Sequence, residues 1–334
     1  MAIFRKLLFP FSLVYGGVTR ARNELYNRKI LKSEKYELPV ICVGNLSTGG
    51  TGKSPMIEYL IKLINSEYKV ATLSRGYKRK TTGFWQLSGT ETAEDVGDEP
   101  LQFKRKFPNA IVAVDAHRRN GIANLMSTGA EVILLDDAFQ HRRVEAGLNI
   151  LLSSYSNLYV SDLILPAGNL RESRRGAGRA DIVVVTKCPQ NIEKVEMERI
   201  SKSLKLKKNQ KLFFSYISYA EKIISKDSEL TLDRLKDKEF VLVTGIANPK
   251  PLTEYLKKKG FKFRHLKFPD HHHFKESEIE NLLREKMVLT TEKDYVRLKE
   301  RLSPSKLYYL PIETKFVEDE EKFNREVVSF VKTK

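Results

Sequence analysis

VGNLSTGGTGKSP, Val43 to Pro55, decides how the rest of the chain is read. It closes as a phosphate-binding loop closes, on Gly52, Lys53 and Ser54. Five residues before Gly52, where the pattern G-x-x-x-x-G-K-[ST] has its first glycine, stands Ser47. The flanks support the loop reading, because LPVICVGN reads as a strand and SPMIEYLIKLINS as a helix. A glycine-rich turn between strand and helix aims backbone N–H groups at phosphate oxygens, and the helix dipole adds to the attraction. Ser47, Thr48, Gly49, Gly50, Thr51, Gly52, Lys53 and Ser54 are therefore the candidate nucleotide-binding residues. Lys53 can reach the β- and γ-phosphates and the Ser54 hydroxyl can ligate Mg²⁺. Serine at position 47 is tolerable if the backbone there has no need of a positive φ.

Outward from the loop, short apolar runs alternate with helical stretches: YKVATLSRGY, NAIVAVD, AEVILLDD, LNILLSS and ADIVVVTKC. Their apolarity is continuous rather than alternating, which predicts strands buried on both faces, as in a parallel sheet covered by helices. The expected fold class is α/β: a P-loop NTPase-like domain with a mainly parallel sheet over residues 1–188, then a second, smaller α/β domain over 189–334. AEVILLDD ends in Asp136 and Asp137, the placement of a metal carboxylate beside a phosphate loop. Two rival nucleotide-binding classes lose support. The loop has Thr48 where K-G-G-x-G-K-[ST] proteins have their signature lysine, and VVVTKCP lacks the aspartate of the guanine-reading N-K-x-D.

The bulk composition fits these readings. With 334 residues, 41% hydrophobic and 30% charged, the chain has a two-domain size and a globular composition. Two cysteines, Cys42 and Cys188, build neither a disulfide framework nor a zinc cage. The net charge of +17 favours an anionic partner. At the N-terminus, Phe4, Leu7, Leu8, Phe11, Tyr15 and Val18 recur at helical spacing beside Arg5, Lys6, Arg20 and Arg22. That pattern suits an amphipathic helix lying in a headgroup layer, with an ordinary core helix and a signal peptide as the alternatives.

Further stretches complete a constellation: SRGY (Ser74–Tyr77), VGDEPL (Val96–Leu101), DDAFQH (Asp136–His141), LPAGNLRE (Leu165–Glu172), VTGIANP (Val243–Pro249), FPDHHHF (Phe268–Phe274) and TTEKDYVRL (Thr290–Leu298). With VGNLSTGGTGKSP, and in this order over nearly the whole chain, they resemble the tetraacyldisaccharide 4′-kinase family, the lipid A 4′-kinases of Gram-negative bacteria. That family also has serine at the position of Ser47. Departures are Ala138, Lys78 and Asn169, where the family commonly has glycine, glycine and proline.

The resemblance implies MgATP-dependent transfer of the γ-phosphate to the 4′-hydroxyl of a lipid A disaccharide 1-phosphate. It also implies a peripheral place on the cytoplasmic face of the inner membrane, with neither nucleic acid nor an obligate protein partner. It makes Asp98 the base for the sugar hydroxyl, tuned by His271, with His272 and His273 as neighbours in register. Lys53 and Arg118 would supply positive charge to the γ-phosphate, Arg119 being the close competitor of Arg118. Ser54, Asp136 and Asp137 would hold Mg²⁺. Gly76, Tyr77, Gln140, Arg171 and Glu172 are the acceptor candidates, and Lys293 is expected to pair with a structural acid. A kinase or ligase of a soluble metabolite and a nucleotide-switched binding protein are the competing readings; the latter has no use for a base in GDEP.

Overall fold

The computed structural model describes residue 5, residues 7–270 and residues 272–333. The chain folds into two sheets. The first has nine strands in the order Ile312–Phe316, Lys211–Tyr219, Ile182–Thr186, Leu148–Ser154, Val40–Asn45, Val132–Asp136, Val70–Ser74, Ile111–Val114, Trp85–Gln86. All neighbours are parallel except the two edge strands, which run antiparallel to Lys211–Tyr219 and Ile111–Val114. The continuous apolar runs are explained by burial on both faces. Ile41 and Val43 enter one core with Met56, Leu60 and Ile61 of the helix Lys53–Ile64. Val40 and Cys42 enter the other, with Leu73, Ile122 and Leu125.

The second sheet has six strands, in the order Glu229–Thr231, Lys222–Ile224, Leu307–Tyr309, Val288–Thr290, Phe240–Thr244, Phe263–Lys267. Its own core gathers Leu242, Leu252, Leu256 and Leu289 on one side and Val243, Ile279, Leu282 and Leu298 on the other.

The division between the sheets differs from one placed after residue 188. Lys211–Tyr219 still belongs to the first sheet, where Phe213 packs on one face and Phe214 on the other. The chain then builds the second sheet and returns to the first with Ile312–Phe316. The final helix Glu320–Lys332 follows, burying Phe323, Val327 and Val331, one per turn, in the first sheet's core. We therefore place the second domain as an insertion between the strands Lys211–Tyr219 and Ile312–Phe316.

The first helix, Phe9–Asn27, is turned the opposite way. Ser12, Gly16 and Thr19 face the protein, while Leu7, Phe11, Leu13, Val14 and Val18 are each more than 60% exposed. The small residues allow a close approach to residues 162–172. Ala167 N–H donates to Ser12 Oγ at 3.0 Å, and Tyr15 Oη donates to the Arg171 carbonyl at 3.0 Å. The apolar face expected from the sequence thus points outward, not into a core; Phe4 and Lys6 lie outside the described residues. Among the described residues no helix is long and apolar enough to cross a membrane.

Candidate active site

A cavity of about 2100 Å³ lies between the two sheets, at the carboxyl end of the strand Val40–Asn45. Its floor is the loop 46–52. Gly52 adopts φ 86° and caps the helix Lys53–Ile64, and Gly49 adopts φ 122°, both left-handed conformations that favour glycine. Ser47 does not have a positive φ, so serine is accommodated there; it is buried and bridges to Leu170. The loop is held from outside. Asn45 Nδ2 donates to Thr51 Oγ1 (2.7 Å), Thr48 N–H to the Asn169 carbonyl (2.7 Å) and Thr186 Oγ1 to the Thr51 carbonyl (2.7 Å). Lys187 Nζ donates to the Gly50 carbonyl at 2.5 Å. These bonds fix the curvature while the first N–H groups of the helix, which have no intrahelical acceptor, face the cavity end.

Asp136 and Asp137 separate in role. Asp136 is buried, accepts from Ser74 Oγ at 3.3 Å, and leaves Oδ1 without a hydrogen-bond partner. Burial, and next the Glu99 charge, push its carboxyl up against the pull of Lys53. An orphaned carboxylate oxygen beside a phosphate loop fits a cation partner. Asp137 instead accepts a two-pronged pair from Arg171, at 2.8 and 3.1 Å, with Lys53 Nζ 3.7 Å away. Asp137 also carries the left-handed turn at φ 49°, so Ala138 is spared a strained backbone. Among the described residues, no three His, Cys, Asp or Glu side chains converge to hold a metal by themselves. That donor set suits an ion such as Mg²⁺, which takes most ligands from phosphate and water.

Asp98 begins the helix Asp98–Lys106, after Gly97 at φ 96°. Arg297, from the second sheet's helix Glu292–Leu298, grips it with two bonds, Nε to Oδ1 at 3.0 Å and Nη2 to Oδ2. The next residue, Glu99, accepts from Ser54 Oγ at 2.8 Å and from Lys293 Nζ at 2.9 Å through one oxygen. Burial works to raise the Glu99 carboxyl, but Lys293, Lys53 and Ser54 outweigh it and hold it at about 2. His271 lies outside the described residues. His272 Nε2 donates to the Glu278 carboxylate at 2.8 Å and its ring stacks on Phe268, and both His272 and His273 line the cavity.

Arg118 and Arg119 are now distinguishable. Arg118 is buried, lines the cavity and donates to the carbonyls of Asp115 and Asp136, whereas Arg119 pairs with Glu34 at the surface. Of the acceptor candidates, Gly76, Tyr77, Gln140 and Arg171 line the cavity. Glu172 does not. It is 1% exposed and saturated by Arg179 (2.7 and 2.9 Å), Gln140 (3.1 Å) and Asn23 (2.5 Å), a buried knot that anchors the first helix. Gln140 spends its amide on that knot and on the Asn45 carbonyl at 2.8 Å.

Sequence reasoning missed Glu99 and Arg297, and gave Lys293 only a structural acid. The signal available was the spacing of Lys293 and Arg297, four apart and so on one face of a helix.

Comparison with known proteins agrees over the full length. The model of the tetraacyldisaccharide-1-P 4′-kinase family matches residues 4–332. A tetraacyldisaccharide 4′-kinase of Flavobacterium johnsoniae is 50% identical over 337 residues, covering 99% of this chain and 98% of its own. One of Parabacteroides distasonis is 46% identical over 346 residues, covering 97% and 94%. The crystal structure of the "apo" form of LpxK from Aquifex aeolicus in complex with ATP superposes with a TM-score of 0.81 at 32% identity, covering 98% of this chain and 99% of that one.

Proposed function

This chain belongs to the tetraacyldisaccharide-1-P 4′-kinase family, and from that premise we propose that it transfers the γ-phosphate of ATP to the 4′-hydroxyl of a lipid A disaccharide 1-phosphate at a membrane surface. The observation that carries the reading is the meeting of a phosphate loop and the Asp98 carboxylate in one cavity between the sheets. In the transfer the bond from the γ-phosphorus to its bridging oxygen breaks, a bond to the sugar oxygen forms, and the hydroxyl proton passes to a base. Asp98 is that base, its two oxygens held in plane by Arg297. Lys53 and Arg118 neutralise charge on the phosphates. Ser54 and Asp136 would hold Mg²⁺, which would supply charge neutralisation on the transferring group. Asp137 aligns Lys53 and Arg171 instead of ligating the metal. We assign Arg171, with Gly76 and Tyr77 which also line the cavity, to the acceptor's anionic and sugar groups.

The exposed apolar face of the helix Phe9–Asn27 supports contact with the inner membrane's cytoplasmic face, where an acylated substrate resides. Tyr15, Thr19 and Arg22 of that helix line the cavity, which brings the substrate's entry beside the membrane-facing surface.

Two experiments test this. Labelled ATP with Mg²⁺ and the disaccharide 1-phosphate in detergent micelles should give a product phosphorylated at the 4′ position; nucleotide turnover without lipid product would sink the acceptor assignment. Replacing Leu13 and Val14 together by serine should weaken vesicle binding about tenfold or more while leaving the melting temperature unchanged. A large fall in melting temperature would mean the face packs against protein.

A further inference from the structure

The geometry points to Lys293 as a nucleotide-sensing cation delivered by the second domain: we propose that it leaves Glu99 and contacts the γ-phosphate when ATP occupies the loop. The inference rests on the kinase reading for its nucleotide and not on the lipid acceptor.

Its contact with Glu99 looks at first like an ordinary brace between domains, but the helix Glu292–Leu298 is already braced twice to the first domain and once within its own. Glu292 joins Lys106 at 2.8 Å, and Lys106 joins Glu58 of the phosphate-loop helix at 2.6 Å. Asp294, fully buried, accepts Gly245 N–H at 2.8 Å and is bonded to the helix-capping Thr291. Arg297 grips Asp98. Glu292, Asp294 and Arg297 thus fix the helix, and Lys293 stands between them facing the cavity.

Its partner is on the phosphate loop's own hydroxyl. A single Glu99 oxygen receives both Ser54 Oγ and Lys293 Nζ, so the pair sits at the end of the loop where a phosphate and its cation would be bound. Unlike the Glu58–Lys106 pair, at 5% and 19% exposure, Lys293 and Glu99 are each 31% exposed and open to the cavity. Lys53 and Lys293 both act on Glu99, and both depress the neighbouring Lys187, whose own burial is the larger cause. Lys53 also meets Asp137 at 3.7 Å, and Lys293 also feels Asp98 and Asp270, so the ammonium groups are held among carboxylates at the loop's end, where a polyanion can take over one of their contacts.

The test is calorimetric titration of the full chain with Mg²⁺ and either ADP or the β,γ-imido analogue of ATP, without acceptor lipid. The wild type is compared with Lys293→Gln, which keeps a donor to Glu99 but loses the charge, and Lys293→Arg, which keeps the charge. The expected result is about a tenfold loss of affinity for the ATP analogue in Lys293→Gln, less than twofold for ADP, and recovery in Lys293→Arg. Equal changes for the two nucleotides in Lys293→Gln, or no change for either, would overturn the proposal and leave Lys293 a brace. Because no lipid is present, this result is independent of the acceptor assignment: failed lipid transfer with an intact ATP-over-ADP effect would refute only the latter.

Discussion

On one side of the cavity the residues 47–54 offer backbone N–H groups at the end of a parallel strand; on the other, a single short helix, Glu292–Leu298, offers long charged side chains. The first side is rigid by construction. Its glycines take conformations set by the loop itself, its Thr48 N–H is tied to the Asn169 carbonyl, and its Thr51 and Gly50 carbonyls are tied down by Thr186 and Lys187. The second side depends on ion pairs that cross from one sheet's domain to the other's, so its geometry exists only when the domains meet. In the proposed reading this difference is a division of labour: one domain binds the nucleotide, and the other completes the surroundings of the proposed base. Such an arrangement would keep ATP from reacting with water before the acceptor site is assembled.

Three substitutions break or sharpen that contrast. The largest effect is expected on the loop side. Lys53→Met should lower transfer by about a thousandfold, since a preorganised charge on the transferring group is lost, with the fold intact by circular dichroism. A loss below tenfold would mean that the loop lysine is dispensable. Arg297→Lys on the opposite side replaces a two-pronged grip on Asp98 by a point charge. Transfer should fall about tenfold with nucleotide affinity unchanged. A parallel loss of nucleotide binding would show that the two sides are not separable.

The smallest effect concerns stability. Burial, then the Glu58 charge, raise the Glu292 carboxyl from 4.5 to about 7 despite Lys106. A raised acid contributes stability below its unfolded value that is lost as pH rises through the folded one. Wild type should therefore lose stability relative to Glu292→Gln between pH 4.5 and 7, by on the order of 1 kcal/mol in the unfolding free energy from urea titration. Identical pH profiles for the two proteins would remove Glu292 as a titrating strut.

The contrast also explains what the sequence made legible. The loop side is contiguous: strand, glycines, lysine and serine follow one another, so Val43–Pro55 and the strand ending in Asp136 disclose both sheet and phosphate site. Every strand expected before residue 188 is present in the structure. The facing side is not contiguous. That Arg297 meets Asp98, or Lys293 meets Glu99, follows from the packing of one domain on another and from no local pattern. The same cause displaced the domain division, since Lys211–Tyr219 finds its partners in a sheet begun far earlier in the chain. Glu172, in a basic stretch, reads from the sequence as exposed, while its burial depends on Arg179 and on Asn23 from the first helix.

Asp98→Asn decides whether a base and a phosphate loop on converging elements perform one transfer. Single-turnover transfer from labelled ATP to the lipid disaccharide should fall by about 10²–10⁴-fold, while affinity for the ATP analogue stays within twofold of wild type. Transfer at the wild-type rate would contradict the account and return Asp98 to the role of a helix-terminal residue paired with Arg297.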